Sequence, residues 1–163
     1  MALLGYHKAE FTGTKREKAF DENCCGADHG GFEMKNQIVE DLRKQGFAVE
    51  DLGTNSADSV DYPDFAEKAT AKVLAGQADL GILVCGTGIG ISIAANRHKG
   101  IRAAILYDDY VAKVAREHNN ANVLCFGGRT MTTEDVLRRI GIFLKAAYEG
   151  GRHDRRLCKL DLD

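Results

Sequence analysis

LGILVCGTGIGISIAA, residues 80–95, is the stretch on which the fold turns. Residues 80–84 make a short apolar run of the kind that fills a parallel strand covered on both faces, and apolar spacing resumes at Ile91, Ile93 and Ala94. The stretch reads as strand, glycine turn and helix, with Cys85 at the carboxyl end of the strand. Gly86, Gly88 and Gly90 permit a tight turn and leave helix amino-terminal amides uncovered, a setting that favours negative charge and activates a nearby thiol. Other readings compete. A membrane span needs about 18 apolar residues and tolerates this much glycine poorly. A dinucleotide fingerprint needs a third glycine where Ile91 stands, although Asp108 follows the next strand at the spacing of a ribose-binding acid. Cys85 as a small packed hydrophobe is the third, a common fate of free cysteines.

Upstream, GADHGG at 26–31 is a turn, and 32–45 reads as a helix with Met34, Ile38 and Leu42 on one face and Gly46 as its stop. A strand over 47–52 and a polar loop over 53–61 follow. Pro63 suits the first turn of a helix whose stripe is Phe65, Ala66, Ala69 and Val73, ending before Gly76. Downstream come a strand over 101–107, a helix over 109–117 and a strand over 122–126 that runs into GGR. Thr132 or Thr133 caps a last helix that buries Val136, Leu137, Ile140, Phe143, Leu144 and Ala147, with Gly141 costing about 1 kcal/mol relative to Ala. Gly150 and Gly151 end it, and RHDRRLCKLDLD reads as a solvated terminus. Residues 1–25 hold no sustained period, so the pattern predicts a poorly structured or divergent N-terminal extension before a folded domain at 26–163.

Strands alternating with helices imply an α/β fold: one doubly wound, Rossmann-like, five-stranded parallel sheet with helices on both faces. Ligands of such sheets bind beyond the carboxyl ends of the strands, where this chain places Asp28 and His29, Cys85 and Thr87, Asp108, and Arg129. The length of 163 residues fits one domain, and 44% hydrophobic residues suffice for a core. A net charge of −2 without long single-sign runs argues against nucleic-acid and membrane-surface partners and leaves small molecules. Five cysteines with no CxxC, and no secretory apolar region at the start, point to a reduced, intracellular setting.

Suppose the substrate is a small phosphorylated sugar. Arg129, Arg152 and Arg156 offer guanidinium forks for a phosphate, with His29 as a further donor. Removing a proton beside a carbonyl needs a base and hydrogen-bond donors where enediolate charge develops, and Cys85 with the 86–90 amides offers both. His118, followed by Asn119, suits the proton transfer of ring opening. Together they describe aldose–ketose isomerisation. Taken singly, His118 reads as a surface residue at a helix end, Arg152 and Arg156 as solvated, and Tyr62 as half-buried beside Pro63. No role is assigned to Cys24, Cys25, Cys125, Cys158, His7, His98 or His153.

GADHGGFEMK, VDYPDFA, GILVCGTGIGISIAANR, GIRAA, AREHNNANVLCFGGR and YEGGRHDRR, spanning residues 26–156, resemble the type B ribose-5-phosphate isomerases, whose family includes isomerases of galactose 6-phosphate and allose 6-phosphate. The resemblance implies that Cys85 moves the proton, that Gly86, Thr87, Gly88, Ile89 and Gly90 cradle the enediolate, and that His118 opens the ring with help from Asp28. It implies that Asn119 binds a hydroxyl, that Tyr62 walls the pocket, and that His29, Arg129, Arg152 and Arg156 hold the phosphate. A subgroup with a glutamate base would carry it at Ile91, so the chain resembles the cysteine subgroup. The resemblance further implies a cytoplasmic homodimer or homotetramer with sites shared between subunits and no metal or organic cofactor. The alternatives are the same chemistry on a six-carbon sugar phosphate, and a non-catalytic sugar-phosphate-binding module. Relatives place an apolar strand before GADHGG, whereas this chain has Glu22, Asn23, Cys24 and Cys25 there. Buried polar groups without partners cost several kcal/mol, so either the strand forms here with strain or the start of the chain is aberrant; instability is expected to originate at 21–25 and apolar replacements there to raise the melting temperature.

Overall fold

The computed structural model of the chain describes residues 20–160. Among them β1 (Glu22–Ala27), β2 (Ala48–Asp51), β3 (Leu80–Cys85), β4 (Ala103–Ile105) and β5 (Val123–Gly127) form one parallel sheet in the order β2-β1-β3-β5-β4. The helices are α1 (Phe32–Lys44), α2 (Tyr62–Leu74), α3 (Ile89–Ala95), α4 (Asp109–Glu117), α5 (Thr133–Lys145) and the short α6 (Asp154–Leu157).

Successive strand residues point to opposite faces, so each central strand feeds two cores. Ile82 and Val84 of β3 and Leu124 and Phe126 of β5 pack with Ile38, Leu42, Ala112, Val136, Ile140 and Phe143 from α1, α4 and α5. Leu83 and Cys85 with Val123 and Cys125 face the other side, against Phe65, Ala66 and Ala69 of α2 and Ile91 and Ala95 of α3. This is the doubly wound α/β arrangement that the alternation implies.

The boundary of the folded domain needs correction. Residues 22–25, assigned by pattern to the extension, open β1, which pairs with β2 on one side and β3 on the other. Glu22 stays exposed and its amide donates to Asp79 Oδ2 at 3.2 Å. Asn23 is buried, but its Nδ2 donates to the carbonyls of Phe20 at 3.0 Å and Ala48 at 3.3 Å, offsetting much of the cost of burying the amide. Its Oδ1 is left buried without a partner. Cys24 and Cys25 are covered and enter opposite cores as small hydrophobes. Residues 1–19 of the expected extension lie outside the described residues.

Other differences sit at the sheet's rim. The strand expected over 101–107 shortens to Ala103–Ile105, because an edge strand pairs with β5 alone and the Asn122 side chain takes the Arg102 amide at 2.8 Å. Thr132 supplies the α5 cap, accepting from the Asp135 amide at 3.2 Å. That helix stops at Lys145 with Ala146 extended, so Ala147 is exposed rather than buried. The tail is not simply solvated: Gly150 and Gly151, at φ +63° and +58°, turn the chain into a 3-10 turn over Gly151–His153 and then α6, and His153 is buried. Tyr62 is exposed at the start of α2 rather than half-buried.

One buried ion pair ties the first helix to the sheet. Lys35, on the inward face of α1, places Nζ 2.6 Å from both carboxylate oxygens of Asp51 at the end of β2. Asp51 Oδ1 also accepts from the Gly53 amide at 2.9 Å, and Gly53 O accepts from Ala27 N at 2.8 Å. The chain leaving β1 is thus pinned from below.

Candidate functional site

β1 hands the chain to β2 on one side while β3 lies on the other, so the sheet has its topological switch between β1 and β3. The loops after β1, β3 and β5 converge over that crevice. The Asp28 amide donates to Val84 O at 3.2 Å, and Asp28 Oδ1 accepts from Gly30 N at 2.8 Å, folding 28–31 across the end of β3. Gly128 meets this turn so closely that a Cβ there would lie 2.4 Å from Gly30 O. Gly128 N donates to Cys85 O at 2.8 Å and Arg129 N to Gly86 O at 3.0 Å, which lays the Arg129 side chain along Gly86.

Cys85 lies at the centre of this edge. Gly88, at φ +81°, turns the loop back so that its amide donates to Cys85 Sγ at 3.1 Å. Within one chain the thiol is only 4% exposed, packed with Leu83, Ile91 and Cys125, so it is better covered than a cleft-facing thiol would be. Thr87 is exposed, its hydroxyl accepting from the Ile89 amide at 3.3 Å, and Ile89 projects outward. The Tyr62 ring lies against Gly90, close enough that a Cβ there would come within 2.8 Å of it. His29 Nδ1 lies 3.3 Å from both the amide and the carbonyl of Val60, which ties the ring to the loop before α2. Asp108 does not behave as a ribose ligand: its carboxylate caps α4, accepting from Val111 N at 2.6 Å. That contact and Ile91 in the third-glycine position remove the dinucleotide reading.

His118, Asn119, Arg152 and Arg156 do not join this group within the chain. In a parallel α/β sheet each helix carries the chain back to the strand starts, so the end of α4 and everything after α5 lie at the amino edge. The six residues of β3 alone set these edges about 17 Å apart. His118 caps α4, its amide donating to Val114 O at 2.9 Å. Its imidazole stacks on that of His153, centroids 4.4 Å apart and planes 12° from parallel. Glu149 Oε2 lies 3.9 Å from His118 Nε2 and 3.4 Å from His153 Nε2, and Arg152 Nε donates to His153 Nε2 at 3.4 Å. Arg102 holds the neighbouring turn, donating to Asn119 O at 3.1 Å and to Asn120 O at 2.8 and 3.0 Å, where Asn120 adopts φ +45°. Asn119 and Arg102 also line an open groove with Asn96, Arg97, Lys99 and Leu160.

Sequence reasoning passes over His153, Glu149 and Arg102. His153 lies 35 residues from His118, and only the return of the chain after α5 brings the two together. Among the described residues His118, Glu149 and His153 form a group whose donor atoms lie within 4.8 Å of one another. Stacked rings suit a metal ion badly. An imidazole lone pair lies in the ring plane, and two nearly parallel planes do not meet at a common ion.

A thiol under a glycine loop at the switch point and a histidine–arginine cluster on the opposite edge make up the candidate site, and the chain carrying them matches the model of the Ribose/Galactose Isomerase family. The family model matches residues 24–160, and the chain belongs to that family. Ribose-5-phosphate isomerase B of Escherichia coli is 46% identical over 132 residues, covering 81% of this chain and 89% of that protein. The Thermotoga maritima ribose 5-phosphate isomerase structure superposes with a TM-score of 0.84 at 47% identity, covering 85% of this chain and 96% of that one. The Mycoplasma genitalium ribose-5-phosphate isomerase B, solved with bound ribulose 5-phosphate, superposes with a TM-score of 0.81 at 45% identity over 85% of this chain and 92% of that one.

Proposed function

We propose that the protein interconverts ribose 5-phosphate and ribulose 5-phosphate through an enediolate. Cys85, as the thiolate, takes the proton from the substrate's second carbon and returns it to the first. The negative charge that collects on the carbonyl oxygen is met by Thr87 and the loop of Gly86, Gly88, Ile89 and Gly90. His118, with Asp28, moves the proton that opens the ring, and Asn119 binds a hydroxyl. His29, Arg129, Arg152 and Arg156 bind the phosphate, and Tyr62 forms a wall. The observation that carries this reading is the Gly88 amide on Cys85 Sγ at a switch point shared with Asp28 and Arg129, in a chain of this family.

The site is completed by a second copy of the chain. One chain holds Cys85 and His118 on opposite sheet edges, so a single substrate meets both only where the carboxyl edge of one copy faces the amino edge of another. Ile89 and Ile93, 56% and 52% exposed and one helical turn apart on α3, offer an apolar surface beside the loop for such a contact. A homodimer satisfies this requirement, and a homotetramer would be built from two such dimers. The reaction needs no metal or organic cofactor, since base, acid and oxyanion donors all come from side chains and backbone. Its place is the cytoplasm, a reading supported by five cysteines of which Cys24, Cys25, Cys85 and Cys125 are buried and unpaired.

The test is turnover of ribose 5-phosphate by the purified protein, followed by ketose absorbance. Cys85→Ala should abolish exchange of the proton on the second carbon while leaving phosphate binding; retained turnover would refute the assignment. The family's name also covers galactose, so the second reading is the same chemistry on a six-carbon sugar phosphate. Competition between five-carbon and six-carbon phosphates decides between them.

A further inference from the structure

We infer that His153 is a positioning residue that joins the ring-opening acid to the phosphate grip. The inference rests on the roles proposed above for His118 and Arg152. His153 is 4% exposed, although its neighbours Arg152 and Asp154 are exposed. Its place is set by the backbone, because the turn at Gly150 and Gly151 carries the His153 amide onto Gly150 O at 3.1 Å and drives the ring inward. There it contacts two functional groups through two different features. Its ring face stacks on His118 at 4.4 Å. Its Nε2 accepts from Arg152 Nε at 3.4 Å, and the same nitrogen lies 3.4 Å from Glu149 Oε2.

The two contacts restrict different motions. His118 sits at a helix end, 31% exposed in its side chain, where an unrestrained imidazole would rotate freely about χ1 and χ2. The flat face of His153 leaves it the orientations parallel to the stack. Arg152 is a long exposed side chain that would otherwise sample many rotamers, and its hydrogen bond to a buried acceptor holds the guanidinium in one of them. Glu149 faces both rings from the side, at 3.9 and 3.4 Å, and its own amide is anchored to Glu117 O at 3.0 Å. The acid and the phosphate ligand are therefore ordered by a single buried imidazole, and phosphate binding and ring opening share one support.

Two variants separate the features. His153→Phe keeps a ring face and loses the acceptor; His153→Gln keeps an acceptor and loses the ring. With ribose 5-phosphate as substrate and inorganic phosphate as competitor, His153→Phe should raise KM and the phosphate inhibition constant about fivefold while kcat stays within about twofold. His153→Gln should lower kcat about fivefold, with phosphate inhibition within about twofold of the parent. Circular dichroism and the melting temperature show which variants are folded, and His153→Asn stands in if His153→Gln is not. Folded variants with parental kinetics and only a lower melting temperature would overturn the inference. So would changes in kcat and KM by the same factors in both. A parent protein that binds phosphate without converting ribose 5-phosphate would instead refute the underlying assignment of function, and this inference with it.

Discussion

Removing Asp51 should destabilise the protein far more than removing its partner Lys35. Lys35 presents no side-chain surface to solvent, whereas the Asp51 side chain is 28% exposed, and Nζ lies 2.6 Å from both carboxylate oxygens. Asp51→Ala leaves a buried ammonium without an anion, and breaking a buried pair in this way costs about 3–5 kcal/mol. Lys35→Met removes the charge and keeps most of the stem's volume, while Asp51 retains water on its open side and the Gly53 amide at 2.9 Å, so the loss is about 1 kcal/mol. At roughly 2–4 °C per kcal/mol for a domain of this size, Asp51→Ala lowers the melting temperature by about 6–20 °C and Lys35→Met by about 2–4 °C. The double variant Lys35→Met/Asp51→Leu should recover most of the difference, because an apolar pair of similar volume replaces the ions. Urea melts with an unchanged slope, read against calorimetry, measure all three. Equal losses in the two single variants, or a larger loss for Lys35→Met, would refute the reasoning.

Three further outcomes follow from the structure. If each site takes Cys85 from one copy and His118 from another, inactive Cys85→Ala and His118→Ala proteins, denatured together and refolded, should regain about a quarter of parental activity through hybrids with one intact site; no recovery would place both groups in one chain. The buried thiols set an alkaline limit on stability. Burial, with Glu50 adding to it, pushes Cys24 up to about 12, and burial moves Cys25 and Cys125 further the same way. The folded state therefore holds these protons after the unfolded chain has released them. The contribution of these thiols to stability is present in full below about pH 9 and is lost as the pH climbs toward 12. Urea titrations across that range should show the decline, and a flat profile would contradict it. At pH 8 a thiol reagent should modify exposed Cys158 well before Cys24.

The strand–glycine–helix unit at 80–95 was legible because each part carries its own local signal: a run of apolar residues, glycines where the chain turns, and apolar spacing resumed afterwards. The same is true of α1 and α2, which fall within a residue or two of their predicted spans. The first strand was harder to read. Asn23 and Glu22 argue locally against a buried strand, and only their contacts with Phe20, Ala48 and Asp79, two of which are distant in sequence, make it acceptable. The tail failed for a related reason: nothing in RHDRR says that its histidine turns inward while the residues on either side remain in water. The candidate residues were nearly all identifiable by type and motif, but their division between two edges of the sheet was not.

What the sequence determined by itself was the α/β alternation, the glycine turn after the third strand and the chemical types gathered in the loops, since these depend on periodicity and backbone freedom over a few residues. Tertiary structure alone decided that Asn23 finds backbone acceptors, that Lys35 meets Asp51, and that His153 lies beneath His118. It also set Cys85 and His118 apart, because each parallel crossover returns the chain to the far edge of the sheet, a distance that no local spacing encodes.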